Sequence, residues 1–153
     1  MPYFAQVTPT GTSGIYNVKN VIRITQEEID TGAWGDPATW IQGDYNTYGG
    51  VHYAPSPPAE PYTPDGGTPI RANYPGVGYT YDTNYTIDGL VGVFYAPRPS
   101  NQYGVFNSWT IGPPTFLWQP PNPPGPAPDD GKSYIWDEQT LSWVPVSSGV
   151  TTI

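Results

Sequence analysis

The chain holds one histidine, His52, in Val51-His52-Tyr53, and no cysteine. Imidazole is the side chain best suited to proton transfer near neutral pH. A serine triad here has only His52 as its base, and no Gly-x-Ser-x-Gly elbow supplies the nucleophile. One imidazole without thiolates also falls short of the usual zinc donor sets. Paired carboxylates perform glycosidase chemistry, and Glu27, Glu28, Asp30, Asp129, Asp130, Asp137 and Glu138 are the candidates. Most of them stand where a helix N-terminus or a tight turn wants an acid for local reasons. Asp65-Gly66-Gly67 and Asp129-Asp130-Gly131 offer oxygens to calcium but lack the alternating acids of an EF-hand loop. Gly76-Val77-Gly78 has no following helix on which to cradle phosphate, so it reads as a bend or bulge. The expectation is a chain that is not an enzyme, with no cofactor and no metal.

Aromatic side chains are the remaining chemistry. Trp109, Trp118, Tyr134, Trp136 and Trp143 are the candidates for an interface or for stacking on sugar. The competing reading makes them core, because a chain poor in Leu and Ile needs its indoles inside. Prolines 120–128 offer a ligand for an aromatic groove or an extended arm along a neighbour.

The elements that hold these residues read as β-structure. There are 21 prolines and 18 glycines, about a quarter of the 153 residues, a share typical of low-complexity chains. Six Trp, 13 Tyr and four Phe argue instead for a folded protein held by aromatic clusters. Residues 3–8 and 15–24 read as strands around the turn formers of 9–14. Thr25-Gln26-Glu27-Glu28 matches a capping box, predicting a short helix that stops at Gly32. Asp36-Pro37 predicts a second helical turn leading into Trp40-Ile41-Gln42. Residues 45–53 read as strand broken by glycine, 55–69 as a long loop with polyproline-like stretches, and 78–81 and 91–95 as strands connected through 82–90. Two hairpins follow. In one, Trp109-Thr110-Ile111 meets Phe116-Leu117-Trp118, with Trp109 opposite Trp118. In the other, Tyr134-Ile135-Trp136 meets Leu141-Ser142-Trp143, with Trp136 and Trp143 diagonal on one face. The fold class is mainly β: small antiparallel hairpins and sandwich-like sheets, one or two short helical turns, and long Pro/Gly-rich extended segments. The domain division is a body over 1–119, a proline-rich spacer over 120–128 and a C-terminal hairpin unit with its tail over 129–153.

Charge narrows the partners. Thirteen acidic residues against five basic ones give −8. Lys19, Arg23, Arg71, Arg98 and Lys132 are too dispersed to neutralise a run of phosphates, which speaks against nucleic acid and anionic membranes. The start, Met1-Pro2-Tyr3-Phe4-Ala5-Gln6, has no basic region followed by an apolar one, so no signal peptide is expected.

Several stretches, in order, carry a resemblance. They are Tyr3-Phe4-Ala5-Gln6-Val7, Trp40-Ile41-Gln42, Tyr45 to Tyr53, Pro64-Asp65-Gly66-Gly67, Asn73 to Asp82, Phe94-Tyr95-Ala96-Pro97 and Ser108-Trp109-Thr110, then Pro128 to Lys132, Tyr134-Ile135-Trp136-Asp137 and Trp143-Val144. In these the chain resembles a family of small virion proteins of tailed bacteriophages, notably those infecting cyanobacteria. The Tyr-x-Trp-Asp…Trp-Val hairpin is similar to one that recurs in phage tail-fibre and appendage proteins. The resemblance implies a component of the virion, made in the host cytoplasm, present in multiple copies or as a homo-oligomer, with other capsid or tail subunits as partners. A capsid decoration or cement protein is the first expectation. A tail-fibre or adsorption component that binds host-surface glycan is the alternative.

Overall fold

The computed structural model describes residues 2–54 and 63–146. Of the loop expected over 55–69, residues 55–62 lie outside the described residues, as do 147–153 of the tail. The chain forms two compact units: Met1–Pro97 with Gly112–Leu117, and Arg98–Ile111 with Trp118–Ile153. The boundaries therefore fall at 97–98 and around 112–117, and residues 120–128 lie inside the second unit.

The chain is mainly β and its sheets are antiparallel. In the first unit, β1 (Tyr3–Pro9) pairs with β2 (Ile15–Arg23). Thr25 then caps α1 (Gln26–Asp30) by accepting a hydrogen bond from Glu28 N at 3.2 Å, and Gly32 follows with φ 78°. Asp36 caps a 3-10 turn, Pro37–Thr39, in the same way. Residues 40–42 differ from the expected turn: β3 (Trp40–Gly43) pairs with β1. The open edge of β1 draws Trp40-Ile41-Gln42 into a ladder once Pro37–Thr39 has reversed the chain. Two short strands, β4 (Thr47–Tyr48) and β5 (Val51–His52), turn through Gly49 and Gly50 at φ 59° and 79°, where only glycine is unstrained.

The strand at Gly78 to Tyr81 is longer than expected. β6 (Thr80–Ile87) meets β7 (Leu90–Tyr95) through a two-residue turn, Asp88-Gly89, both with positive φ. Residues 83–87 stay in the strand because the Asp-Gly pair supplies the whole reversal, with an irregularity in register between Asp82 and Thr86. These strands form a five-stranded sheet in the order β3-β1-β2-β6-β7.

Both faces of β1 are buried. Ala5 and Val7 join Val18, Tyr81 and Phe94 on one face, with Tyr16, Ile41 and Tyr79 around them. Phe4 joins Ile24, Ile29 and Trp40 on the other, where α1 covers it. Gly92 has φ 98°, and a Cβ there would run into the Tyr81 ring.

One side chain reaches both outer strands of this sheet. Arg71 Nε donates to Gln42 O on β3 at 2.9 Å, and its Nη1 donates to Val91 O and Gly92 O on β7. The sheet must curl for a single guanidinium to reach both. Arg71 and Ala72 adopt left-handed backbone (φ 55° and 68°), which turns Arg71 O toward Phe94 N at 3.0 Å. Arg71→Lys is expected to destabilise the unit by about 2 kcal/mol, because an ammonium lacks the fork that spans both strands and leaves carbonyls unpaired. Urea unfolding measures it; a loss indistinguishable from that of an exposed Lys19→Ala control would remove the bridging role.

The second unit is built from short pieces. β8 (Ser100–Asn101) pairs with β9 (Gly104–Val105), and β10 (Tyr134–Asp137) with β11 (Ser142–Pro145). Trp136 and Trp143 are direct partners and not diagonal, because Leu141 joins the turn with φ 51° and Asp137 joins the strand, which moves the four-residue loop from 137–140 to 138–141. The expected hairpin at 109–118 is reduced to one bridge, Thr110 with Gln119. Residues 112–117 belong to the first unit, so Trp109 and Trp118 are not brought opposite each other by a strand ladder. Residues 120–128 are not a straight spacer: Gly125 N bonds back to Pro121 O at 2.8 Å, closing a turn.

Candidate functional site

His52, at the end of β5, is held between two carboxylates. Its Nε2 lies 3.0 Å from Asp44 Oδ2 and its Nδ1 lies 2.7 Å from Asp65 Oδ1. Asp44 follows β3 and also takes Asn46 N at 3.1 Å and Thr47 Oγ1 at 2.9 Å. Asp65 follows the Tyr53–Pro64 bridge and accepts Gly67 N at 2.8 Å. Both ring nitrogens face carboxylates, so the imidazole braces the segments that carry Asp44 and Asp65. The two carboxylates lie on opposite sides of the ring, and among the described residues no group of three or more His, Asp or Glu side chains is arranged to hold a metal ion.

The His52 hydrogen bond, aided by Gly67 N, lowers the Asp65 pKa from its ordinary 3.8. A carboxyl lowered in the folded state contributes stability above its unfolded pKa, and that contribution is lost as pH falls through the folded value. Asp65→Asn is therefore expected to leave a shallower loss of stability on acidification below about pH 4. Urea midpoints at a series of pH values check this, and parallel curves for the two proteins would count against the brace.

The five candidate aromatics all lie in the second unit. Trp136 is 1% exposed and presents no face to a ligand. Its ring stands edge-on to Trp143 (5.2 Å, 74°) and to Trp109 (5.6 Å, 83°), and Trp109 also meets Trp143 and Phe106. Trp109, Trp118, Trp143 and Tyr134 are half-buried. The indoles are tied inward by polar partners. Glu138 accepts from Trp136 Nε1 (2.9 Å), Ser108 N (2.8 Å) and Ser108 Oγ (2.8 Å). Desolvation raises the Glu138 pKa, but these bonds and the Arg98 charge outweigh it and the net shift is downward. Trp143 Nε1 donates to Gly125 O at 2.8 Å, which docks the proline turn on the hairpin. Arg98 lies over the Trp118 ring at 4.4 Å and donates to Phe106 O and Trp109 O. Tyr134 donates to Asp130 Oδ2 at 2.6 Å. Trp109 Nε1 is buried without a hydrogen-bond partner.

Most of the exposed aromatic surface is in the first unit, on residues the sequence reading did not select; Tyr103, 38% exposed, is in the second. Tyr3, Tyr45, Tyr74, Tyr48 and Tyr79 form a row of neighbouring rings. Centroids are 3.9 Å apart for Tyr3–Tyr45, 5.9 Å for Tyr45–Tyr74, 6.1 Å for Tyr48–Tyr74 and 6.1 Å for Tyr74–Tyr79. Tyr45 is 45% exposed and Tyr48 41%. Arg23 lies over the Tyr3 ring at one end. Desolvation raises the pKa of Tyr45, with help from Tyr3 and Tyr74, and pushes Tyr79 up to about 12, so both phenols are neutral at ordinary pH. Turn formers flank two of the five in Asp44-Tyr45-Asn46 and Asn73-Tyr74-Pro75-Gly76. Such contexts place large rings outside regular ladders, and that was the available signal. Trp34, 48% exposed, has the same signature in Gly32-Ala33-Trp34-Gly35. It is held by its carbonyl, which accepts from Trp40 Nε1 at 3.0 Å.

No helix among the described residues is long and apolar enough to cross a membrane. Comparison with family models, curated proteins and solved structures gives no match.

Proposed function

We propose that this chain is a non-enzymatic structural protein of a tailed-bacteriophage virion, a decoration or cement protein on the outside of the capsid. The observation that supports it best is how the reactive groups are spent. Both nitrogens of His52 face carboxylates, and Glu138 holds three donors. Meanwhile Tyr45 and Tyr48 of the tyrosine row, and Trp34, are presented to solvent from the segments around the sheet. A protein arranged this way acts by burying surface against neighbours and not by turning over a substrate. The phage setting comes from the resemblance that runs from Tyr3-Phe4-Ala5-Gln6-Val7 to Trp143-Val144. The net charge of −8 suits docking on a basic shell.

Quantitative mass spectrometry of separated heads and tails tests the reading. Many copies with heads, and capsids that lose heat and osmotic resistance without the protein, are the expected results. A few copies with tails would move the protein to the adsorption apparatus. Capsids that withstand heat equally well without it would end the cement reading.

A further inference from the structure

We infer that the tyrosine row is a contact face for a second copy of this chain, row against row. Tyr45 (45% exposed) and Tyr48 (41% exposed), joined through the half-buried Tyr74 and flanked by the half-buried Tyr3 and Tyr79, form the kind of aromatic patch that marks an interaction surface. Charge selects the occupant. Two chains of net charge −8 repel unless the surfaces that meet carry no free carboxylates. The segments that carry the row bring one carboxylate, Asp44, and its oxygens are held by His52 Nε2, Asn46 N and Thr47 Oγ1. Arg23, at the Tyr3 end, is a cation. By contrast, the stretch around Trp34 carries Glu27, Glu28, Asp30 and Asp36 with no basic residue between 24 and 70, so two copies meeting there would repel. A phenol both donates and accepts, so an identical row satisfies its own image, as a two-fold contact requires. Nucleic acid or an anionic glycan would need a run of cations, and the row has one.

The inference is independent of where the protein sits on a particle, and its failure leaves the virion reading to be decided on particles. The test is sedimentation equilibrium of the full chain from roughly 5 to 500 μM. The expected result is a reversible dimer with a dissociation constant of about 10–100 μM, as befits a small patch, not weakened by added salt. Tyr45→Ser with Tyr48→Ser is expected to weaken it at least about tenfold with an unchanged circular dichroism spectrum, while Trp34→Ala leaves it intact. A chain that stays monomeric over the whole range, or a dimer equally tight in the double variant, overturns the inference and gives the row to a different protein or to a neutral sugar. Should the double variant not fold, photo-oxidative coupling of the wild type with a ruthenium complex and persulfate reads the same contact. Dityrosine between chains at Tyr45 or Tyr48 supports it; its absence there overturns it.

Discussion

Asn73→Ala is expected to cost the first unit about 3 kcal/mol, among the largest single losses in the chain. The side chain is 3% exposed. Its Oδ1 accepts from Gly49 N at 2.8 Å, at the β4–β5 turn. Its Nδ2 donates to Phe94 O (3.0 Å), Thr115 O (3.2 Å) and Phe116 O (3.1 Å). One amide thus ties a hairpin turn, the strand β7 and the returning segment Gly112–Leu117 into one unit. Alanine takes this partner from one donor and three acceptors, of which Phe94 O and Phe116 O lie in buried bonds, and the asymmetry between making such bonds and leaving them unmade sets the size of the effect. Asn73→Asp separates the two ends of the amide. The carboxylate still accepts from Gly49 N but sets oxygen against three carbonyls, so it is expected to be at least as damaging. Urea midpoints measure both, and a loss below about 1 kcal/mol for alanine would show that the three segments are held without it.

Trp136→Ala is expected to be larger, about 4 kcal/mol, because it combines a cavity with lost hydrogen bonding. The ring is 1% exposed between Trp109 and Trp143, and Glu138 loses one of its three donors. The unit has few aliphatic residues to collapse into the void. Trp136→Phe distinguishes the contributions: it keeps much of the packing and loses the Nε1 bond, and about half the penalty is expected to return. Near-UV circular dichroism follows the same event, since the edge-on indoles give an asymmetric signal that alanine would abolish. Retention of that signal in Trp136→Ala would mean that the cluster is organised around another ring.

Much of the first unit was legible in the sequence because its signals are local. Thr25 and Asp36 declare caps, and β-branched residues at 15–24 declare a strand. The glycines at 49–50 and the Asp88-Gly89 pair mark tight turns, although the latter was read within a longer connection. What escaped was non-local. Whether Trp40-Ile41-Gln42 becomes strand depends on the free edge of β1, which no neighbour in sequence reveals. The Trp109–Trp118 hairpin read well by composition, but residues 112–117 are claimed by the first unit, where Asn73 holds the carbonyls of Thr115 and Phe116. A tryptophan suits a core as readily as a stacking surface, and residue type alone does not separate the two. The exposed rings lie instead among Gly, Asn and Pro. Nothing local told that Asp44 and Asp65 would converge on His52, since the two acids are 21 positions apart.

The hold of Arg71 and Asn73 on β7 also bears on crowding. Val91 O and Gly92 O are taken by the guanidinium, Phe94 N by Arg71 O and Phe94 O by the Asn73 amide. A strand margin whose backbone groups are already engaged offers no template for another chain to extend the sheet. Where many copies are packed side by side, neighbours can then meet at this margin only through their side chains. Contacts made at the β7 margin therefore do not extend its ladder into a cross-β stack.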